Sequence, residues 1–487
     1  MNDKKEQGEE LLLINPPLQG AMFFPLGLGY IAAVLSKAGY KIKVLDINAF
    51  KIDSAKVEEY IRTCKYGIFL TGAILGESYR YVKWLSQIIK KHHPNSKIIA
   101  GNSVATSIPE VLLKNSEIDY LVRGEGEETI IELLDAIEHE KNLKDIKGIA
   151  FRDKDEIIIT PNRERISDLD NLPFPAWQLF PMEKYVGKMV AERLDEVKGK
   201  GMVVTAGRGC PYHCTYCYHI FGHQNHMRGV KNVVDEIEEL NRKYHVNIIY
   251  FMDDLFMVYK QWVKDFCNEL AKRNLKIYWR CAGRTNLVGM NDLKLLREMK
   301  KAGCVAIQYG IETGSPKLIN LANKQVTLEQ MEEAIRVTRL SGIEITLGWM
   351  IGFPEETKET LQETINFCVK NEISLTSMFF VTPYPGTPLY EETKERGLIK
   401  NEEKYLDKLH DSEFNINLTK FSNEELFNLR EWVINKVNRA YFKKHGGEYL
   451  KWIIKKQKWH LDYIRHNGIK GFLKTAVNNA IRRAKGI

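Results

Sequence analysis

Short apolar runs and longer amphipathic stretches alternate along the first quarter of the chain. Residues 11–14, 41–45, 66–71, 97–100 and 118–122 read as strands, each followed by a helix-period segment such as 26–37, which Gly39 closes. Parallel strands need crossover connections of this kind. The pattern predicts an α/β fold that opens with a doubly wound, Rossmann-like parallel sheet over 1–140, with ligands at the carboxyl ends of its strands. A small hairpin over 148–160 and an ordered linker at 168–181, containing Pro173, Pro175 and Pro181, set 141–195 apart. The alternation then resumes. Strands are expected near 202–206, 247–252, 276–281, 304–309, 344–351 and 374–381. Val230, Val233, Val234, Ile237 and Leu240 line one face of the first intervening helix. Six strand–helix units predict a partial (β/α)6 barrel over 196–398, with its site at the carboxyl ends of the strands. Residues 399–487 carry no strand pattern and read as a helical tail.

Composition narrows the setting. A chain of 487 residues suits two to four domains, and 44% hydrophobic residues can fill large cores. The net charge of +8 is concentrated: residues 441–487 hold twelve Lys and Arg against two acidic residues. Trp452, Ile453, Trp459, Leu461, Ile464, Phe472, Leu473, Val477 and Ile481 are interleaved there. Such a tail suits an anionic membrane surface, or a solvated helical cap on the barrel. No nucleic-acid module is visible, so no nucleic-acid partner is expected. The apolar run 11–14 is too short for a signal peptide, and no run approaches a membrane span. The expected location is cytoplasmic, with peripheral contact at the inner membrane surface through the tail.

Of eight cysteines, Cys64, Cys267, Cys281, Cys304 and Cys368 lie singly in apolar segments and read as core residues in a reducing compartment. The other three form Cys210-Pro-Tyr-His-Cys214-Thr-Tyr-Cys217. Thiolates at i, i+4 and i+7 on one loop can hold three corners of a cubane 4Fe–4S cluster. No fourth cysteine follows at cluster spacing, which leaves one iron open to a substrate or cofactor. The rival readings are a zinc knot completed by His213 and a set of buried thiols. His219, His223 and His226 crowd the same loop. Their spacing fits no helix face well, so a second metal site is disfavoured; a proton donor or substrate contact is the other use.

The CxxxCxxC spacing, with Tyr216 before the last cysteine, resembles the cluster loop of the radical S-adenosylmethionine (radical SAM) enzymes. The resemblance continues through Phe251-Met252-Asp253-Asp254, Tyr309-Gly310-Ile311-Glu312-Thr313-Gly314, Gly348-Trp349-Met350-Ile351-Gly352-Phe353-Pro354-Glu355 and Pro383-Tyr384-Pro385-Gly386-Thr387-Pro388. It implies that Cys210, Cys214 and Cys217 hold the cluster and that the open iron chelates SAM. It further implies that Asp253 and Asp254 take the SAM ammonium, and that Gly348, Met350 and Ile351 lie against adenine, with Tyr216 among the cofactor contacts. Glu312 would reach the ribose or the amino-acid end. Arg284 suits the SAM carboxylate, and a structural ion pair is the rival for both. The segment 383–388 would wall the site.

The first section resembles the cobalamin-binding domain of one radical SAM subgroup. Its carriers are Leu12-Leu13-Ile14-Asn15-Pro16-Pro17, Pro25-Leu26-Gly27-Leu28-Gly29-Tyr30 and Val122-Arg123-Gly124-Glu125-Gly126-Glu127. A DxHxxG motif is absent, so cobalamin would be held without a histidine on cobalt. Methylthiotransferases are disfavoured, because only Cys64 precedes the radical motif. The resemblance implies a 4Fe–4S cluster, SAM and cobalamin, an external electron donor such as flavodoxin or ferredoxin, and a small-molecule or lipid-like substrate. Methylation of an unactivated carbon is the implied reaction, with radical oxidation, cyclisation or carbon–carbon coupling as the alternative. A non-catalytic cluster-bearing redox protein is the reading from another class. No catalytic acid or base is readable.

Overall fold

The computed structural model describes residues 10–18, 22–75, 78–187, 199–409 and 414–447. Its first sheet holds β1 (Glu10–Asn15), β2 (Lys41–Asp46), β3 (Ile68–Gly72), β4 (Lys97–Gly101), β5 (Tyr120–Val122), β6 (Ile149–Asp153) and β7 (Glu156–Ile159) in the order β2-β1-β3-β4-β5-β6-β7. The first five are parallel; β6 and β7 add antiparallel at the edge. The hairpin anticipated at 148–160 is therefore part of this sheet. Leu11, Leu12, Leu13 and Ile14 are wholly buried, as a strand covered by helices on both faces must be. Strand order reverses between β1 and β3, which opens a crevice at their carboxyl ends.

After two small elements, β9 (Gly207–Arg208) and β10 (His226–Met227), comes most of a second sheet. It runs β8 (Gly201–Val204), β11 (Ile248–Phe251), β12 (Tyr278–Gly283), β13 (Cys304–Glu312), β14 (Glu344–Ile351) and β15 (Phe379–Phe380). These six strands pair in parallel in chain order and form a half-barrel. The outer helices start on strong caps: Thr327 and Thr357 each close a capping box. β15 is shorter than the expected 374–381. Leu375 gives its N–H to Asn438 Oδ1 and its carbonyl accepts from Asn438 Nδ2, so the helix Asn423–Lys444 takes the backbone groups a longer strand would use.

One apolar core runs through both sheets, with Phe24 of the first section edge-on to Phe180 and Tyr185 of the connector at 5.0 and 5.6 Å. Past Gly397 the helices Glu402–Lys408 and Asn423–Lys444 flank a non-helical stretch at 414–421. Most of the basic segment 441–487, including Trp452 and Trp459, lies outside the described residues. Among the described residues no helix is long and apolar enough to cross a membrane.

Candidate functional site

The cluster loop is a long excursion between β9 and β10, whose antiparallel pairing closes its base. Gly209 sits there at φ +91, and a side chain would collide with the Gln224 carbonyl, so closure of the loop requires glycine. Gly207 is likewise pressed by Met227 across the pair. The glycines thus serve the hairpin at the loop's base. The loop is then braced from several sides. Cys217 N–H bonds the Cys214 carbonyl at 3.1 Å, Thr215 N–H the Ala322 carbonyl at 3.0 Å, and Leu389 N–H the Thr215 carbonyl at 2.9 Å. Tyr218 donates to Ser103 O at 3.2 Å, and a side chain at Gly386 would press against both Tyr218 and Ser107. The segment 383–388 therefore acts as a brace between the cluster loop and the first section.

Cys210, Cys214 and Cys217 are free thiols on this loop. Burial, then the neighbouring sulfurs of Cys214 and Cys210, push the Cys217 thiol up to about 12; burial also raises Cys210. Raised thiols of this kind become thiolates readily around a strongly cationic centre, which iron supplies. Among the described residues no three His, Cys, Asp or Glu side chains converge on a single ion. His213 stacks on His223 at 3.8 Å and His219 lies 4.5 Å from His223, while His226 turns away to the Ile166 carbonyl at 2.9 Å. Burial, then His223 and His213, push His219 down to about 4. His213, His223 and His219 thus form a stack of rings on the loop.

Arg284, just past β12, is buried beside the cysteines. Its Nη1 lies 3.6 Å from Cys214 Sγ and its guanidinium 3.6 Å from the Tyr212 ring centre. Its Nε and Nη2 have no partner among the described residues. Two orphan donors on a buried guanidinium fit a bidentate carboxylate, which is what the SAM amino-acid end presents.

The paired aspartates are placed otherwise than the sequence suggests. Both oxygens of Asp253 face Ala206 N–H, at 3.0 and 3.2 Å, and the residue is buried. It is already committed to the entry of the cluster loop. Burial pushes its carboxyl up to about 7, partly offset by those N–H groups. Asp254 accepts from Gly209 N–H at 2.8 Å and keeps an accessible face, so of the two it alone remains available to an ammonium group.

Glu312 stands at φ +67, where the pairing of β13 with β14 shifts register. That bulge aims its carboxylate at Lys324 Nζ, 3.2 Å away, and Lys324 also donates to Tyr216 OH at 3.2 Å. A side chain at Gly310 would overlap the Glu312 carboxylate and push it off its present position. Gly348 lies beside the same carboxylate, with Glu312 Oε2 3.9 Å from where a Cβ would stand. Met350 is half-buried and packs with Tyr216 around Phe353 and Val381. Ile351 does not offer a face to a ligand: strand alternation turns it outward, and it is wholly buried between sheet and helices. Glu355 is exposed and pairs with Lys317 at 3.4 Å. Its neighbour Glu356 is the buried carboxylate, accepting from the Gly352 and Phe353 N–H groups and stapling the turn after β14.

Above the cluster loop, a cavity of about 290 Å3 opens at the carboxyl ends of β1, β3, β4 and β5. Leu13, Leu70, Ile99 and Val122 make its floor, and Arg208, Phe221 and Met252 of the half-barrel section close it. No atom lies within 4 Å of where a Cβ of Gly27 would stand, and Leu28 is 3.9 Å from that of Gly72. A floor of apolar side chains and bare backbone fits a large planar ring such as that of cobalamin.

Arg208 gave no signal in the sequence beyond its place two residues before Cys210. It is buried, donating to Glu125 Oε1 at 2.8 Å and Glu127 Oε1 at 2.6 Å, with its guanidinium 5.2 Å from the Tyr30 ring centre. Glu125 also accepts Ile166 N–H at 2.8 Å. The segments 25–30 and 122–127 thus meet on the residue that leads into the cluster loop. Lys324 is the second missed residue, a lysine buried against Glu312 and Tyr216.

Residues 204–368 match the radical SAM superfamily and residues 20–134 the B12 binding domain. Over 96% of its length the chain is 29% identical to an uncharacterized methyltransferase, PH0819, of Pyrococcus horikoshii, covering 98% of that protein. Over 78% it is 29% identical to the anaerobic magnesium-protoporphyrin IX monomethyl ester cyclase of Rubrivivax gelatinosus, covering 68% of it. Among solved structures, the radical S-adenosylmethionine methyltransferase TsrM from Kitasatospora setae, with tryptophan and a SAM analogue bound, superposes with a TM-score of 0.66. It shares 19% identity over 80% of this chain and 76% of that one.

Proposed function

We propose, for a chain that belongs to the radical SAM superfamily and carries a B12-binding domain, that it methylates an unactivated carbon of a small-molecule substrate. The observation that carries this is the nearness of two candidate sites: the cavity of the first sheet is closed by Phe221 of the cluster loop, by Arg208, two residues before Cys210, and by Met252. When bound, the cluster with SAM supplies hydrogen abstraction from carbon, and cobalamin supplies the methyl group.

The chain's own residues hold and exclude. Cys210, Cys214 and Cys217 would take three cluster corners. Arg284 would grip the SAM carboxylate, and Asp254 its ammonium. Glu312, held by Lys324, would reach the ribose. Tyr216 and Met350 would form the apolar wall for adenine, beside the space left at Gly348. Asp253 fixes the loop's entry. Leu13, Leu70 and Ile99 would seat the cobalamin ring and exclude water from the cavity floor. Reduction of the cluster needs an external donor, and flavodoxin or ferredoxin has the required low potential.

The test is turnover of anaerobically loaded enzyme with methyl-labelled SAM, a reductant and a fractionated extract of small molecules. A product that gains one labelled methyl, formed together with 5′-deoxyadenosine, supports the reading. 5′-Deoxyadenosine without any labelled product favours radical oxidation or cyclisation, the second reading, to which the likeness to the cyclase lends weight. Failure to form 5′-deoxyadenosine with the cluster intact would favour a non-catalytic role.

A further inference from the structure

Alternation along the half-barrel strands sorts their side chains into two sets. Phe251 and Trp279 face outward, their rings 5.5 and 5.4 Å from Phe266 on an outer helix, and Tyr309 faces outward to Thr338 at 3.0 Å. Their neighbours Tyr250, Arg280 and Gln308 therefore face the lumen. Further up the same inner face stand Met252, 51% exposed, and Phe379, 52% exposed, which pairs with Met350. Large apolar side chains left open on an inner face line space, since the outer face is packed against helices.

Arg280 is a cation on this inner face. Its Nη2 donates to Gln308 Oε1 at 2.6 Å, and its guanidinium lies 5.5 Å from the centre of the Tyr250 ring. Among the described residues no carboxylate pairs with it and no other hydrogen bond engages it. Glu312, farther up the same face, is held by Lys324 at 3.2 Å, and Glu344 forms no ion pair with Arg280. A planar guanidinium fixed by one amide and one aromatic shelf is set in orientation while most of its donors stay free, which suits bidentate capture of a carboxylate or phosphate.

We propose that Arg280, steadied by Gln308 and Tyr250, binds the anionic head of an amphipathic substrate whose apolar part runs up the lumen along Phe379 and Met252. The inference rests on the methyl-transfer reading for what happens at the upper end. Arg280 and Arg284 are four residues apart on one extended segment, a span of about 13 Å at the strand rise. The anionic head thus lies several bonds from the carbon that meets the cofactors. A substrate of this class carries a carboxylate or phosphoryl group at one end and an unactivated carbon near the other.

The test uses holoenzyme and three eight-carbon probes, octanoate, octyl phosphate and 1-octanol, titrated calorimetrically in the absence of reductant. Wild type should bind at least one anion ten-fold or more tighter than octanol, and the better of the two identifies the head group. Arg280→Gln should abolish that preference while octanol affinity, iron and cobalamin content stay unchanged; Arg280→Lys should restore part of it. If Arg280→Gln does not fold, Gln308→Leu, which frees the guanidinium, should cut the preference at least three-fold. Equal binding of octanol and both anions by wild type, or an unchanged preference in Arg280→Gln, overturns the assignment. No turnover enters these titrations. A failed methyl transfer therefore leaves them standing, and a failed anion preference leaves methyl transfer standing.

Discussion

Arg284 Nη1 lies 3.6 Å from the sulfur of Cys214, while the buried Nε and Nη2 of the same guanidinium have no partner among the described residues. The arginine joins the cluster thiols to whatever carboxylate completes it. Arg284→Gln should weaken SAM binding at least ten-fold, because a neutral amide loses both the charge and the fork. Iron content should stay at the wild-type level. Equilibrium dialysis with labelled SAM on the reconstituted protein measures it, and unchanged affinity would return Arg284 to a structural role.

The two aspartates should separate. Asp253→Ala strips the acceptor from Ala206 N–H at the mouth of the cluster loop and should lower iron retained after reconstitution. Asp254→Asn keeps an acceptor for Gly209 N–H, so the cluster should load normally while SAM binding weakens. Iron analysis and SAM dialysis on the same two variants check both halves. Identical behaviour of the pair would contradict the division of labour.

Arg208 locks the first section to the half-barrel section through Glu125 and Glu127. Arg208→Met leaves the buried Glu127 carboxylate without its cation and Glu125 with only Arg165, 3.5 Å away, a loss of about 3–5 kcal/mol. Chemical denaturation should show that loss, and cobalamin should wash out of the variant faster than out of wild type. Arg208→Lys should recover only part, since a single ammonium cannot serve two carboxylates as a fork does.

Burial pushes the Glu356 carboxyl up to about 7, with the Gly352 and Phe353 N–H groups opposing it. The unfolded chain gives up this proton at about pH 4.3. Between those values the folded state binds the extra proton, so Glu356 makes stability fall as pH rises, by roughly 1.4 kcal/mol per pH unit, and the effect levels off above about 7. Glu356→Gln removes the titration. Wild-type stability relative to the variant should therefore decline from pH 5 to 7 and stay flat from 7 to 8, measured by denaturation midpoints of the apoprotein.

Both sheets were legible because each strand is a contiguous apolar run or sits between helices with clear caps. β1, with four wholly buried residues, could not be missed. β15 was over-read because Ser374–Val381 has strand composition while its backbone is claimed by Asn438, sixty-three residues away from Leu375. The cysteines stand out in the sequence because an i, i+4, i+7 spacing on one loop suits three corners of a cluster. Ile351 was misplaced by one position, since a motif names residues without saying which face of the strand each occupies. Arg208 and Lys324 left no trace because their roles come from Glu125, Glu127 and Glu312, which reach them only through the fold. Arg280 became visible once alternation in β12 was fixed by Trp279 and Phe266 packing on the outside.

The account stands most directly on the cofactor content of one anaerobic sample. Reconstituted with iron, sulfide and cobalamin and then desalted, the protein should hold about four irons on Cys210, Cys214 and Cys217 and about one cobalamin, whose paramagnetic form shows no splitting from an imidazole nitrogen. Changing the three cysteines to Ala should remove the iron and leave the cobalamin. A chain that keeps its irons but retains no cobalamin would contradict the joint site from which methyl transfer is argued.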